Sequence, residues 1–261
     1  MNLDYVKRVL SLDGKKAIVT GGNSGIGKGV AVSLANMGAD VTIIGRDQTT
    51  IDEAAAQLKE INPVCAGFRV DVSSGAEVEK FFGEYYAGSG GRLDILIANA
   101  GVCKPIRALD TAEKDVDYFF NINYKGTLFC CQQAAKAMKA QMSGNIVIVT
   151  SVNALYPLPP QAAYSSTKGA LEVLMQCLAV DLAPYNVRVN TLAPGAIATN
   201  IGRDNPDRPK NPGKARPQLP LGRVGEPEDM GDAVACLVSD AFRYMTGSTV
   251  LIDGGLKLRN V

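Results

Sequence analysis

The chain has 261 residues, 46% of them hydrophobic, enough to bury one large α/β core or two small ones. Its formal net charge of +1 gives no electrostatic case for nucleic acid or a membrane surface as partner. It holds no histidine and no tryptophan, which excludes Ser-His and Cys-His nucleophile pairs, HExxH zinc sites and any histidine general base, so acid–base chemistry must use Tyr, Lys, Asp or Glu.

No run of about 18 apolar residues is present, and Met1–Tyr5 lacks the charged and apolar regions of a signal peptide. A cytoplasmic protein is the expectation. The six cysteines (65, 103, 130, 131, 177 and 236) show no CxxC spacing and sit mostly in apolar runs, so buried free thiols are expected rather than disulfides or a metal site.

Residues 1–14 read as a polar lead-in with one short helix. Ala17-Ile18-Val19 then predicts a buried strand, ended by the glycine turn Thr20-Gly21-Gly22-Asn23-Ser24-Gly25-Ile26-Gly27. A helix from about 25 to 37 stops at Gly38, a residue suited to the left-handed position after a helix. Asp40–Arg46 predicts a second strand, which completes a βαβ unit with a right-handed crossover. The glycines allow a tight turn and let a pyrophosphate approach the amides at a helix N-terminus. Their spacing, Gly21-x-x-x-Gly25-x-Gly27, differs from the usual GxGxxG.

The alternation continues with a helix at about 50–61, a strand over Cys65–Val72, a helix at about 75–87 and a flexible Gly88–Gly91 connection. Next come a strand over Leu93–Ala98, a long helix over roughly 112–139, a strand at 145–150 and a helix at about 161–183. A strand over Val187–Leu192, a helix near 227–238 and a strand over Thr249–Ile252 close the series. Such regular alternation with apolar strands predicts an α/β fold: one Rossmann-like domain over 1–261, a doubly wound parallel sheet of about seven strands with helices on both faces. Residues 203–217 break the rhythm with four prolines and five basic residues against two acidic ones. They follow a strand's C-terminal end, where open α/β sheets bind ligands, so 196–218 reads as an inserted substrate lid.

The chemistry centres on Ser151 to Lys168. Tyr164 and Lys168, four apart, share one helix face, and an ammonium there would lower a phenol pKa that is otherwise about 10. A tyrosine tuned in this way can act as an acid or base near neutral pH. An apolar strand delivers Ser151 thirteen positions ahead of Tyr164.

These motifs together resemble the classical short-chain dehydrogenase/reductase family, and the match spans residues 12–255. TGxxxGxG is Thr20 to Gly27, the NNAG motif is Ala98-Asn99-Ala100-Gly101, PGxxxT is Pro194, Gly195 and Thr199, and DGG is Asp253-Gly254-Gly255. The family's catalytic asparagine, serine, tyrosine and lysine fall on Asn123, Ser151, Tyr164 and Lys168. The resemblance implies that Tyr164 exchanges a proton with a substrate carbonyl or alcohol while hydride passes to or from a nicotinamide. It further implies that Ser151 bonds the same oxygen, that Lys168 holds the nicotinamide ribose hydroxyls, and that Asn123 sustains a water link from Lys168 to solvent. Cofactor contacts implied in the same way come from Gly21, Asn23, Ser24, Gly25, Ile26 and Gly27, from Arg46, Asp71 and Val72, from Asn99, Ala100 and Gly101, and from Tyr164, Lys168, Pro194, Gly195, Ile197 and Thr199.

Gly45 stands where NAD-preferring relatives carry Asp, and the guanidinium of Arg46 next to it suits a 2′-phosphate, which favours NADP(H) over NAD(H). Asp47 beside it counts against this preference. The residues expected to face the substrate are Val102, Cys103, Ser151, Asn153, Leu155, Tyr156, Gln161 and Tyr164. Their mixture of apolar and amide groups fits a polyol, keto-sugar or sugar acid, with an oxoacyl thioester or a steroid as alternatives, and Lys104 and Arg107 suggest an anionic substrate. The family pattern also implies a homotetramer built on the faces of the two long helices. The non-enzymatic alternative is a nucleotide sensor on the same fold.

Overall fold

A computed structural model describes residues 2–199 and 219–260 of the chain. The strands are β1 (Lys16–Thr20), β2 (Asp40–Gly45), β3 (Ala66–Arg69), β4 (Ile95–Ala98), β5 (Gly144–Val149), β6 (Val187–Pro194) and β7 (Thr249–Ile252). They form one seven-stranded sheet in the order β3-β2-β1-β4-β5-β6-β7, and every pairing is parallel. The helices are α1 (Leu3–Leu10), α2 (Gly25–Asn36), α3 (Gln48–Ile61), α4 (Gly75–Ser89), α5 (Glu113–Phe119), α6 (Gly126–Ala140), α7 (Ala162–Leu182) and α8 (Pro227–Val238).

Successive strand residues point to opposite faces, and the core divides accordingly. Ala17, Val19, Ile95, Ile97, Val147 and Val149 pack with apolar residues of α2, α3 and α8. Ile18, Leu96, Ala98, Ile146 and Ile148 pack with those of α4, α6 and α7 on the other side. The sheet is therefore doubly wound, as its uninterrupted apolar strands predict. Strand order reverses between β1 and β4, so the loops after these two strands diverge and open a crevice at their C-terminal ends.

Three expectations need correction. The third strand is shorter than Cys65–Val72, because β3 is the sheet edge and half of it faces solvent, with Phe68 48% exposed. The long helix expected over 112–139 is two helices joined by a π-helical turn, Phe120–Lys125. The cysteines are all free, but only Cys65, Cys130 and Cys131 are buried, and Cys177 is exposed. Gly38 does end α2, with φ +96. The lid expected over 196–218 lies, from residue 200 onward, outside the described residues. Among the described residues no helix is long and apolar enough to cross a membrane.

Candidate active site

The turn after β1 can be tested for its ability to take a dinucleotide. A Cβ on Gly27 would lie 2.2 Å from the Gly21 carbonyl oxygen and 2.5 Å from Asn99 Nδ2, so only glycine fits. Gly21 and Gly25 have φ of +64 and +50. Ser24 is the N-cap of α2 and, among the described residues, makes no side-chain cap hydrogen bond, so its hydroxyl does not compete with a ligand for the first-turn amides. The residues present therefore fit a pyrophosphate.

Asn99, expected among the cofactor contacts, is bonded to the glycine turn. Its Nδ2 donates to the carbonyls of Thr20 (2.9 Å) and Gly21 (3.3 Å), and its backbone N–H, like that of Ala100, donates to Thr20 Oγ1. It pins the loop after β4 to the glycine turn. Gly195, at the end of β6, leaves no room for a side chain: its Cβ would lie 2.5 Å from Asp253 Cα. Thr199 reaches back to the same crevice, 3.2 Å from the Cβ position of Gly25, and Ile197 is anchored by a bridge to Gly225.

At the end of β2, Arg46 is exposed and its charge acts on Asp71. Burial raises the Asp71 pKa, but hydrogen bonds from Ser73 and the charges of Arg46 and Arg69 together hold it below the ordinary carboxylate value. Asp47, a complication for cofactor choice in the sequence, is engaged elsewhere. Its Oδ1 caps α3 by accepting from Thr50 N at 3.0 Å. Val72 is buried against Gly126, whose Cβ would lie 2.8 Å from it.

The four expected catalytic residues converge. Ser151 follows β5, Tyr164 and Lys168 lie one turn apart on α7, and Asn123 lies in the π turn; their exposures are 8%, 8%, 4% and 0%. The Ser151 hydroxyl accepts from Asn153 N at 3.1 Å and acts on the Tyr164 phenol, favouring its ionised form. Lys168 Nζ donates to the Val149 carbonyl at 2.8 Å and lies 5.8 Å from the Tyr164 ring centre. Asn123 Oδ1 accepts from Val102 N at 2.8 Å, and its Nδ2 donates to Val102 O and to Thr167 Oγ1. Thr167 in turn donates to the Tyr164 carbonyl at 2.7 Å. The wide π turn thus aims one amide at both the loop after β4 and the start of α7, as such turns often do at functional sites. Sequence reading missed Thr167 and the Val149 carbonyl, because neither type of group carries a signal by itself.

The balance of effects on Tyr164 runs opposite to the expected lowering. Burial, then the neighbouring Cys103, push the Tyr164 phenol well above its ordinary value, and the Ser151 hydrogen bond offsets this only in part. Burial lowers Lys168 to about 8. Burial is the largest cause for both groups.

Of the substrate-facing candidates, Asn153 is buried and its Nδ2 donates to Gln161 Oε1, while its own Oδ1 is buried with no partner among the described residues. Leu155 and Tyr156 are 44% and 41% exposed at the rim. Beside them Arg107, Pro157, Leu158, Gln161 and Ser165 line a cavity of about 490 Å³.

A family model described as enoyl-(acyl carrier protein) reductase matches residues 21–257. The chain belongs to the classical short-chain dehydrogenase/reductase family. An L-rhamnose 1-dehydrogenase (NAD(P)(+)) of a Sphingomonas species is 32% identical over 247 residues, 94% of this chain and 97% of that one. A 3alpha-hydroxysteroid dehydrogenase of Mediterraneibacter gnavus is 34% identical over 250 residues, 95% and 99% of the two chains. The solved structure of L-sorbose reductase from Gluconobacter frateurii, complexed with NADPH and L-sorbose, aligns with a TM-score of 0.86 at 28% identity and covers 94% of this chain and 97% of that one. As a short-chain dehydrogenase/reductase, the protein is an oxidoreductase of CH–OH groups that uses NAD(P)(H).

Proposed function

We propose that this short-chain dehydrogenase/reductase is an NADP(H)-dependent reductase of small polyhydroxylated ketones, also able to run the reverse oxidation. The observation that carries the chemistry is the convergence of the Ser151 hydroxyl, the Tyr164 phenol and the Lys168 ammonium in one buried pocket beside the glycine turn. NADPH, when bound, supplies the hydride. It would be held by the Gly21–Gly27 turn, Arg46, Asp71, Val72, Ala100, Gly101 and the Pro194–Thr199 segment.

In that pocket Tyr164 gives its proton to the carbonyl oxygen as the carbon is reduced. The Ser151 hydroxyl, fixed by Asn153 N, donates to the same oxygen. Lys168 stabilises the phenolate left behind and returns its proton, and Asn123 fixes the α7 end of the path through Thr167. A nucleotide sensor would not need this set; all four groups are present and gathered.

The substrate class rests on Asn153. A buried amide oxygen without a partner is costly and calls for a donor. A hydroxyl next to the reacting carbonyl supplies one, whereas the hydrocarbon of a steroid or an acyl chain does not. Arg46 at the ribose end, with Asp47 committed to helix capping, supports NADP(H). The exposed Val173 and Val180 on the outer face of α7 support assembly, and a homotetramer is part of the proposal.

The test is nicotinamide fluorescence with NADPH and NADH in turn, followed by a panel of ketoses, simple ketones, oxoacyl thioesters and ketosteroids. Tighter NADPH binding and turnover confined to ketoses would support the proposal. Preference for a ketosteroid or thioester would replace the substrate class.

A further inference from the structure

Helix α7 carries a third ionisable side chain in line with Tyr164 and Lys168. Glu172 lies one turn beyond Lys168 and is 8% exposed. Three hydroxyls converge on it. Thr150 Oγ1 donates to Oε1 at 2.6 Å, and Thr191 and Thr249 Oγ1 donate to Oε2 at 2.9 and 2.7 Å. They come from the end of β5, from β6 and from β7, so three strands are committed to one carboxyl group. Thr150 Oγ1 also lies 3.2 Å from the Leu192 carbonyl and Thr191 Oγ1 3.0 Å from Thr249 Oγ1, but each hydroxyl has one O–H to give, and the three together can serve both oxygens of a carboxylate.

A charge taken out of water is costly unless hydrogen-bonded and paired, and the buried cation on the next turn is Lys168. The backbone joins them as well. Val149, whose carbonyl receives the Lys168 hydrogen bond, directly precedes Thr150, which holds Glu172. We infer that Glu172 is a positioning residue for the reaction: its carboxylate, locked by Thr150, Thr191 and Thr249, keeps the Lys168 side chain charged and directed at the Val149 carbonyl.

The titratable groups facing Lys168 are Tyr164 and Glu172 on its own helix and Cys103 on the loop after β4. From β6 and β7, the groups on Glu172 are threonines. Burial lowers Lys168, while Cys103 and Glu172 raise it, to a net value of about 8. The Cys103 thiol is itself pushed up to about 11 by burial, and Tyr164 is raised too, so both are neutral where Lys168 titrates. Glu172 is then the negative charge that Lys168 meets.

The test compares the cofactor-free protein with Lys168→Met, Glu172→Gln, Glu172→Asp and the Lys168→Met/Glu172→Gln pair by thermal unfolding from pH 6.5 to 9.5. A lysine with a lowered folded pKa binds fewer protons folded than unfolded, so stability relative to Lys168→Met rises with pH through that pKa. Glu172→Gln should start this rise about one pH unit lower, a shift at the low end of that produced by an opposite charge. Glu172→Asp should keep it in place. The alkaline limb of kcat/KM should move in parallel. An unmoved rise in Glu172→Gln, or an equal shift in Glu172→Asp, would overturn the inference. If Glu172→Gln folds too poorly to titrate, the double variant decides: recovery of Tm over the single variant supports a charge pair, and additive loss refutes it. The inference rests on the proposed catalytic role of Lys168, but the unfolding readout needs neither substrate nor cofactor, so the two can fail separately.

Discussion

Asn23, in the glycine turn, fills the space that a side chain on residue 45 would need: a Cβ on Gly45 would lie 2.4 Å from Asn23 Oδ1. Asn23 cannot easily withdraw, because its Nδ2 donates to Thr50 Oγ1 at 2.8 Å. The absence of an acid at position 45 is therefore coupled to the turn beside it. Gly45→Asp alone should weaken both NADPH and NADH, whereas Gly45→Asp with Asn23→Gly should recover NADH. Fluorescence titration of the two variants checks this, and a clean switch to NADH by Gly45→Asp alone would refute the coupling.

Arg46→Ala should weaken NADPH by about 10- to 100-fold, the worth of a charge-assisted hydrogen bond of roughly 1.5–3 kcal/mol, and leave NADH within about twofold. Equal losses for the two cofactors would mean that Arg46 supports the loop rather than a phosphate.

The pH behaviour of Tyr164 follows from its burial. Because burial raises its pKa, the phenol of the cofactor-free protein should stay protonated at pH 10. Ultraviolet difference spectra between the wild type and Tyr164→Phe should show no phenolate from this residue below that pH. The same substitution should cut turnover by about 10²- to 10⁴-fold with NADPH affinity intact. A phenolate forming near pH 7 without cofactor would restore the simpler picture of a tyrosine tuned by Lys168 alone.

Much of this architecture was legible in the sequence, for physical reasons that differ between elements. β7 runs over Thr249–Ile252 as read, because an apolar run ended by glycines has few alternatives. The gathering of Ser151, Tyr164 and Lys168 was legible because strand delivery and helix spacing place them together. The π turn was not legible. Asn123 sits in it with hydrogen bonds to Val102 and Thr167, each distant in sequence. The edge character of β3 was equally hidden, since sheet order decides it rather than local composition. Nor could periodicity show that Asp47 caps a helix while Arg46 remains exposed.

Gly27 tests the glycine turn most directly. Its Cβ would lie 2.2 Å from a backbone oxygen, so Gly27→Ala must move the turn rather than a flexible side chain. Overpacking of this kind costs about 1–3 kcal/mol, and the expected result is a lower Tm together with at least about tenfold weaker binding of both cofactors. Normal affinity in a folded Gly27→Ala protein would place the pyrophosphate elsewhere.

Asn153 offers the sharpest test of the substrate. Its Nδ2 is tied to Gln161 Oε1 and its backbone N–H to Ser151 Oγ, so the unpartnered Oδ1 is the atom left to meet a ligand. Asn153→Ala should lower kcat/KM for a ketose by roughly 3- to 10-fold, the worth of a neutral hydrogen bond of about 0.5–1.5 kcal/mol. A simple ketone of similar size lacks the hydroxyl proposed to bond Asn153. Its rate should hardly change, so the ratio between the two substrates isolates the contact from any general loosening of the site. Equal losses on both would show that Asn153 acts by placing Ser151, and the case for a polyhydroxylated substrate would fall with that result.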